Sequence, residues 1–488
     1  MSTATTEPGR PALTTVRAYS VVIVSGLMTL ILLLEFTLIY PALPRMAQAF
    51  QTGAITWSII IAEITGVVAS PLIGMLGDLY GIKRVFLTVA AVFVLGSLIC
   101  ATAQHLAVLL AGRAMQGMAL GLINITYSIV RNVLSRRVAA IGLGVISSIV
   151  GIAFIIGPLL SSVLVGGAGW RGLFIFCALY MAVVGILFAR IVPESGVRRH
   201  CKPDVRGAVL LCAALALLFI PISEGGSWGW HSALTLGSLG LGAAALIVFI
   251  VRALHSSEPL VDLRVLGMPQ VRIPILVQVA CNWPATMMSV MLPMLLLAPR
   301  SDLGYGFGIT GASITLYYLP HGLSTILFGP AIGALVRRGH GMLLLRISTV
   351  SYALALTVLA FEHADTWGML LGTGIAGIGH GAAYSAVGYL VADAAPADQR
   401  GAATGIMGAT GIFAGGIGTA TLACILAAHV TGYDSFHAPI YSNAAFVNGF
   451  LTGVLVAMLG LVQTFIGRSS GVMSGNAKRR RSIPTAAA

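Results

Sequence analysis

Apolar runs long enough to cross a bilayer follow one another from about residue 19 almost to the C-terminus, and no other feature of this 488-residue chain limits its fold so tightly. Inside hydrocarbon every backbone N–H and C=O must be satisfied by the chain itself, which leaves helices or closed barrels. Barrel strands alternate in polarity about every second residue and do not produce such runs. Charged residues make up 9% of the chain and hydrophobic ones 57%, against about 25% charged in an ordinary soluble domain. The expected fold class is therefore an all-α polytopic membrane protein.

Breaks at charges, glycines and prolines place spans near 19–41, 54–76, 85–104, 106–130, 139–165, 172–192, 207–223, 232–251, 273–298, 308–335, 343–361, 367–392, 402–428 and 445–467. With both termini in the cytoplasm, 24 of the 28 Lys and Arg fall inside. That asymmetry follows the positive-inside rule, and an extra or missing helix would scramble it. It also explains the net charge of +13 without nucleic acid, since these residues face cytosol and anionic lipid. Trp57, Trp170, Trp228, Trp230 and Trp367 map to the outer interface, whereas Trp283 lies deep in the ninth span beside Pro284. The six cysteines show neither a disulfide framework nor metal-ligand spacing, and no cofactor or metal is expected. The polar N-terminus lacks a signal-peptide cleavage pattern, so the first span is expected to remain in the mature chain.

Weak internal similarity divides the spans. PLIGML at 71–76 recurs as PAIGAL at 330–335, Gly117-x-x-x-Gly121 as Gly377-x-x-x-Gly381, and RVAAIG at 137–142 as RGAATG at 400–405. The offsets of 259, 260 and 263 residues keep one order, as internal repeats of a transporter do. The expected domains are a cytoplasmic tail at 1–18, a six-helix bundle at 19–192, loops with an inserted helix pair at 193–272, a second six-helix bundle at 273–467, and a basic cytoplasmic tail at 468–488.

The segment GMLGDLYGIKRV, residues 74–85, joins the second and third spans. Its glycines permit tight helix ends and close backbone contact, Asp78 can pair with a base, and Lys83 and Arg84 anchor the next helix at the membrane face. Gly74, Asp78, Gly81, Lys83 and Arg84 fill every position of G-x-x-x-D-x-x-G-x-[KR]-[KR], and the chain here resembles the major facilitator superfamily. LAGRAMQG, 110–117, is similar to that family's fourth-helix motif with Arg113 as its buried arginine. GIAFIIGP, 151–158, resembles its fifth-helix antiporter motif through Gly151, Gly157 and Pro158. LLEFTLIYPALP, 33–44, resembles the first-helix motif of the fourteen-helix drug:proton antiporters, with Glu35 where aspartate is usual. The resemblance implies a major facilitator fold of fourteen helices arranged six, two, six, a cytoplasmic latch at 74–84, and proton-coupled antiport.

At 1.5 Å per residue, Glu35, Glu63 and Arg113 lie roughly 9, 13 and 10 Å below the outer ends of the first, second and fourth spans. Intramembrane ionisable groups are expensive and usually face protein or a water-filled cavity. Three at one depth suit proton coupling, because a nearby arginine and a dry environment pull a carboxylate in opposite directions. Arg113 also suits a structural tie between helices. Other polar groups fit a substrate cavity: Asn124, Tyr127, Gln278, Asn282, Trp283, Tyr317, Tyr318, His321, His380 and Tyr384. The glycines crowding 401–418 read as close helix packing. The chain offers no nucleophile–base set, so it is not expected to be an enzyme. The reading is a monomeric multi-pass protein of the cell membrane, in a bacterial inner membrane. It exchanges protons for amphipathic, preferably cationic organic molecules among membrane lipids. The alternative is export of an endogenous metabolite, a lipid-like compound or a self-made antibiotic.

Overall fold

The structure is a computed structural model that describes residues 15–123, 125, 126, 129, 134, 136–194, 204–300, 305–309, 311–337, 340–394, 400–433 and 439–469. The helices, in chain order, are α1 (Thr15–Ile39), α2 (Leu43–Phe50), α3 (Trp57–Tyr80), α4 (Ile82–Thr102), α5 (Leu106–Gly117), α6 (Arg136–Ile191) and α7 (Val205–Trp228). They continue with α8 (Ala233–His255), α9 (Pro269–Leu297), α10 (Ile314–Arg337), α11 (Gly341–Glu362), α12 (Thr366–Ala394), α13 (Arg400–Ala427) and α14 (Asn443–Ser469). Helix is present at every expected span. Among the described residues, ten stretches combine the length and hydropathy needed to cross a membrane. The longest, Ser148–Ile191, has 44 residues and would measure about 66 Å if straight, twice a bilayer core.

That stretch holds one departure from expectation. The gap placed between the fifth and sixth spans is not a loop: α6 runs through it, broken by Gly169 at φ 68°, ψ −177°. A single residue in that conformation reverses the chain where any side chain would be strained. The neighbouring Trp170 was expected at the water interface, but it is only 7% exposed. Phe50 and Phe174 pack on it with ring centroids 5.2 and 6.1 Å away, and Arg171 lies 4.3 Å over its face. Trp367, by contrast, is 77% exposed. Two further differences are local. The seventh span continues past Glu224 to Trp228, and a short antiparallel hairpin, β1 (Val430–Tyr433) with β2 (Pro439–Tyr441), links α13 to α14.

Helices α1, α3, α4, α5 and α6 pack on one another, as do α9 to α14, and the two sets meet along α6–α10 and α3–α13. The repeat seen in the sequence reappears as packing. Gly117 of α5 lies against the Ala62 carbonyl of α3, and Gly377 of α12 lies against the His321 carbonyl of α10. In both places only hydrogen fits where a side chain would begin. Helices α7 and α8 pack as a pair, and α7 touches both α3 and α13. Asp204 caps α7 by accepting from the Gly207 N–H at 2.9 Å, and it also pairs with Arg252 of α8 and accepts from the Leu260 N–H. Trp57 Nε1 at the head of α3 donates to Glu224 Oε1 of α7 at 2.6 Å.

Candidate functional site

Close packing brings the first three ionisable groups together in part. Gly112 of α5 lies against the Gly96 carbonyl of α4, and Gly117 lies against α3, so α5 sits tightly between those helices. From there Arg113, fully buried, reaches three acceptors. Its Nη1 donates to Glu35 Oε1 at 2.7 Å and Gln116 Oε1 at 2.8 Å, and its Nε donates to the Ser58 carbonyl at 2.8 Å. Gln116 Nε2 donates onward to Ser97 Oγ at 2.7 Å. Four helices, α1, α3, α4 and α5, are thus joined by one buried network. Glu35 Oε2 and Arg113 Nη2 are buried in it with no hydrogen-bond partner. A proton on Glu35 would dissolve the charge pairing while leaving the other bonds of Arg113 in place, which is the chemistry a proton-exchanging carboxylate needs.

Glu63, also 3% exposed, stands apart from that network. Among the described residues no hydrogen bond or ion pair joins it to Arg113. It instead faces α13 across the seam: a β-carbon on Gly415 would lie 3.2 Å from Glu63 Oε1 and 3.1 Å from Thr286 Oγ1 of α9. Its Oε2 is buried without a partner. Gln278 and Asn282 lie one turn apart on α9 and face Gly411, to whose carbonyl Asn282 Nδ2 donates at 3.3 Å. Trp283 meets α13 further along, its carbonyl and ring Cδ1 against Gly418, and its Nε1 is buried without a hydrogen-bond partner.

On the other seam, His321 of α10 and His380 of α12 are buried with Nε2 and Nδ1 3.3 Å apart and rings nearly perpendicular at 86°. Phe154 of α6 packs on both, with centroids at 4.3 and 5.2 Å, and Tyr384 lies 4.9 Å from His380. Tyr317 and Tyr318 are buried nearby on α10, Tyr317 against Phe307. The antiporter motif of α6 spans both directions. Gly151 abuts the Gly322 carbonyl of α10, Gly157 abuts Thr37 of α1, and Pro158 is buried. Asn124 and Tyr127 lie outside the described residues.

The segment 74–84 is not a loop: residues 74–80 finish α3, 82–84 begin α4, and Gly81 at φ 96° is the turn between them. Gly74 differs from expectation, since a β-carbon there would meet nothing within 4 Å and no close contact requires glycine. Glu194, beyond α6, accepts from the Lys83 N–H at 3.3 Å, while Arg84 is exposed and the Asp78 side chain lies outside the described set. Sequence reasoning passed over Gln116, Thr286, Phe154 and Glu194. The first two carry a readable signal: Gln116 is three residues from Arg113 and Thr286 four from Asn282, each on the same helix face. Phe154 and Glu194 carry none.

The Major Facilitator Superfamily pattern matches residues 26–280 and again 275–485. The chain belongs to the Major Facilitator Superfamily. Among curated superfamily relatives, it is similar to the "Multidrug resistance protein Stp" of Mycobacterium tuberculosis, 28% identical over 414 residues that cover 83% of this chain and 75% of that one. It is also similar to the "Probable actinorhodin transporter" of Streptomyces coelicolor, 27% identical over 369 residues covering 72% and 62%. Among solved structures, a human organic anion transporter superposes with a TM-score of 0.60 at 18% identity, covering 92% of this chain and 99% of that one. That likeness shows the shared fold. Superfamily membership makes the protein a multi-pass membrane transporter of small molecules, a carrier rather than an enzyme.

Proposed function

We propose that this transporter is a proton-coupled antiporter that exports amphipathic, cationic organic compounds from the cytoplasm across the plasma membrane of a bacterium. The observation that carries the reading is the pair of buried carboxylates in unlike settings. Glu35 is matched to Arg113 at 2.7 Å, and Glu63 faces the opposite helix set with one oxygen free. Glu35 exchanges the proton against Arg113, and Glu63 answers the charge of the substrate. Exchange of one proton for one monovalent cation moves no net charge, so the membrane potential cancels and the pH gradient drives it, about 1.4 kcal/mol and about tenfold accumulation per pH unit at unit coupling. The fourteen-helix drug:proton branch, with bundles at 19–192 and 273–467, the inserted pair between them and both termini cytoplasmic, fits the helix positions and the charge bias. The 74–84 segment, where α3 turns into α4, then acts as a cytoplasmic latch, with Asp78 as its charge, and the carrier works as a monomer.

A second reading, export of a self-made antibiotic or other endogenous metabolite, is favoured by the similarity to a protein named for actinorhodin transport. One experiment separates the two and tests the first. Purified carrier in proteoliposomes is given a panel of cationic, neutral and anionic aromatic compounds, and substrate-induced proton release is recorded. Release restricted to cations supports the first reading; release by neutral or anionic compounds alone transfers support to the second, and no release by any compound removes proton antiport.

A further inference from the structure

The two seams between the helix sets are related by the internal repeat, yet they are built differently. Glu63 and Gly322 are 259 residues apart, the offset of the PLIGML repeat that lies on the same two helices. Gly151 and Gly415 are 264 apart, one more than the RVAAIG offset. At the α6–α10 seam the partners are Gly151 and Gly322, and a β-carbon on either would strike the other's carbonyl. That seam is closed backbone to backbone. At the α3–α13 seam Glu63 occupies the position that Gly322 holds on the other side, and Gly415 faces side-chain oxygens instead of backbone. The sequence suggested that glycines on α13 serve close packing. Gly411 and Gly415 do something else: they leave room beside polar groups.

Those polar groups form a column. Gln278, Asn282 and Thr286 recur every four residues and therefore share one face of α9. Gln278 and Asn282 meet α13 at Gly411, and Thr286 meets it at Gly415 together with Glu63. Asn282 and Thr286 already have partners: Asn282 Nδ2 donates to the Gly411 carbonyl, and Thr286 Oγ1 donates to the Asn282 carbonyl at 3.0 Å. Glu63 Oε2 and Gln278 Oε1 have none, although both atoms are buried. Leaving a buried acceptor unpaired is costly, and a carboxylate more so than an amide. Both orphans are acceptors, so the missing partner is a donor.

We infer that Glu63, Gln278 and Thr286, set against Gly411 and Gly415, bind the N–H-bearing ammonium head of a primary or secondary amine. The inference rests on the cationic-substrate reading and narrows it. The levels of Gly411 and Gly415 differ by about 6 Å along α13. An ammonium nitrogen accepted through two N–H bonds about 109° apart, each at about 2.8 Å, holds its acceptors about 4.6 Å apart, so side chains at the two levels meet it obliquely. The Thr286 hydroxyl keeps a lone pair for the same nitrogen after donating to Asn282. A quaternary ammonium satisfies Glu63 by charge but brings no donor to Gln278 or Thr286, and its methyl groups need the space above Gly415.

The test uses two probes with one aromatic body, 2-(2-naphthyl)ethylammonium and its N,N,N-trimethyl derivative, titrated at pH 7 against the full-length carrier by naphthyl fluorescence. The wild type should prefer the N–H probe by about tenfold, the worth of one hydrogen bond to a charged group. Gln278→Leu and Thr286→Val should each shrink that preference severalfold while leaving trimethyl affinity within about twofold, and Glu63→Gln should weaken both probes. Gly415→Ala should weaken both as well, with a melting midpoint within a few degrees of wild type, because its methyl meets only side-chain ends. A wild type that binds both probes equally overturns the ammonium site and leaves cation transport standing. Equal losses of both probes in Gln278→Leu and Thr286→Val overturn it too. A wild type that binds neither probe overturns both the site and the cationic reading.

Discussion

Glutamine substituted for each buried glutamate in turn asks the same chemical question at two places that the structure treats differently. Glu35→Gln removes a charge whose partner stays behind. Arg113 is fully buried and keeps its bonds to the Ser58 carbonyl and Gln116, but its positive charge then has no carboxylate beside it. Removing one member of a buried ion pair costs about 3–5 kcal/mol, because the survivor is left uncompensated. Glu63→Gln strands no arginine, since no ion pair joins Glu63 to a base among the described residues. The amide keeps the shape, and the expected change is within about 1 kcal/mol. Thermal unfolding in detergent, followed by tryptophan fluorescence, should show a clear drop in midpoint for Glu35→Gln and little change for Glu63→Gln. The double variant Glu35→Gln/Arg113→Gln should regain stability over Glu35→Gln alone, the signature of a coupled pair. Proteoliposome assays should show proton release abolished in Glu35→Gln and altered cation preference in Glu63→Gln. Equal destabilisation at both positions, or an unstable double variant with no recovery, refutes the division of roles drawn from the geometry.

Burial works to raise the Asp204 carboxyl, but its pairing with Arg252 and the Gly207 and Leu260 N–H groups hold it below the ordinary aspartate range. A lowered folded-state pKa stabilises above the unfolded value of about 3.9 and is lost as pH falls through the folded one. Asp204→Asn should therefore lower the melting midpoint at pH 7 and narrow its gap to wild type as the pH drops below about 4. His380→Gln should break the ring-to-ring bond to His321, cost about 0.5–1.5 kcal/mol, and slow exchange more than it weakens binding, because Phe154 couples the pair to α6; unchanged turnover with reduced affinity would contradict this. Asp78→Asn should lower transport rate with substrate affinity retained, and a loss confined to affinity would argue against a latch.

Hydropathy made the helices legible because length and apolar content are set by the bilayer, not by neighbours. The turn at Gly169 escaped for the converse reason: a one-residue reversal leaves no polar gap to read, and the same tight turn buries Trp170. The hairpin 430–441 is too short to carry a period. For the site, Glu35 and Arg113 announced themselves as charges in apolar helices, and their depths implied proximity. Depth does not give azimuth, however, so the sequence left open which way Glu63 faces, and in the structure its carboxylate lies beside Gly415 of α13. Glycines are the hardest to read. Gly117 and Gly411 look alike in the chain, yet one admits a backbone and the other makes room for amides.

Helix α7 lies over the seam that Glu63 guards and touches both of its sides. If the two helix sets rock against each other, a strut fixed to both would jam them, so α7 has to travel with one and slip on the other. Its grip on α13 is steric: Phe219 sits in the notch at Gly416 and stacks on Phe413 with centroids 5.7 Å apart. Its grip on α3 includes a hydrogen bond between side-chain ends, Trp57 to Glu224. On that condition α7, with α8 packed on it, moves with the α13 side, and Trp57–Glu224 is the contact that has to open when the seam lifts. Bilayer thickness and lateral pressure, felt through the exposed apolar face of α8 and passed to α7, would tune the turnover of such a carrier while leaving its affinity alone.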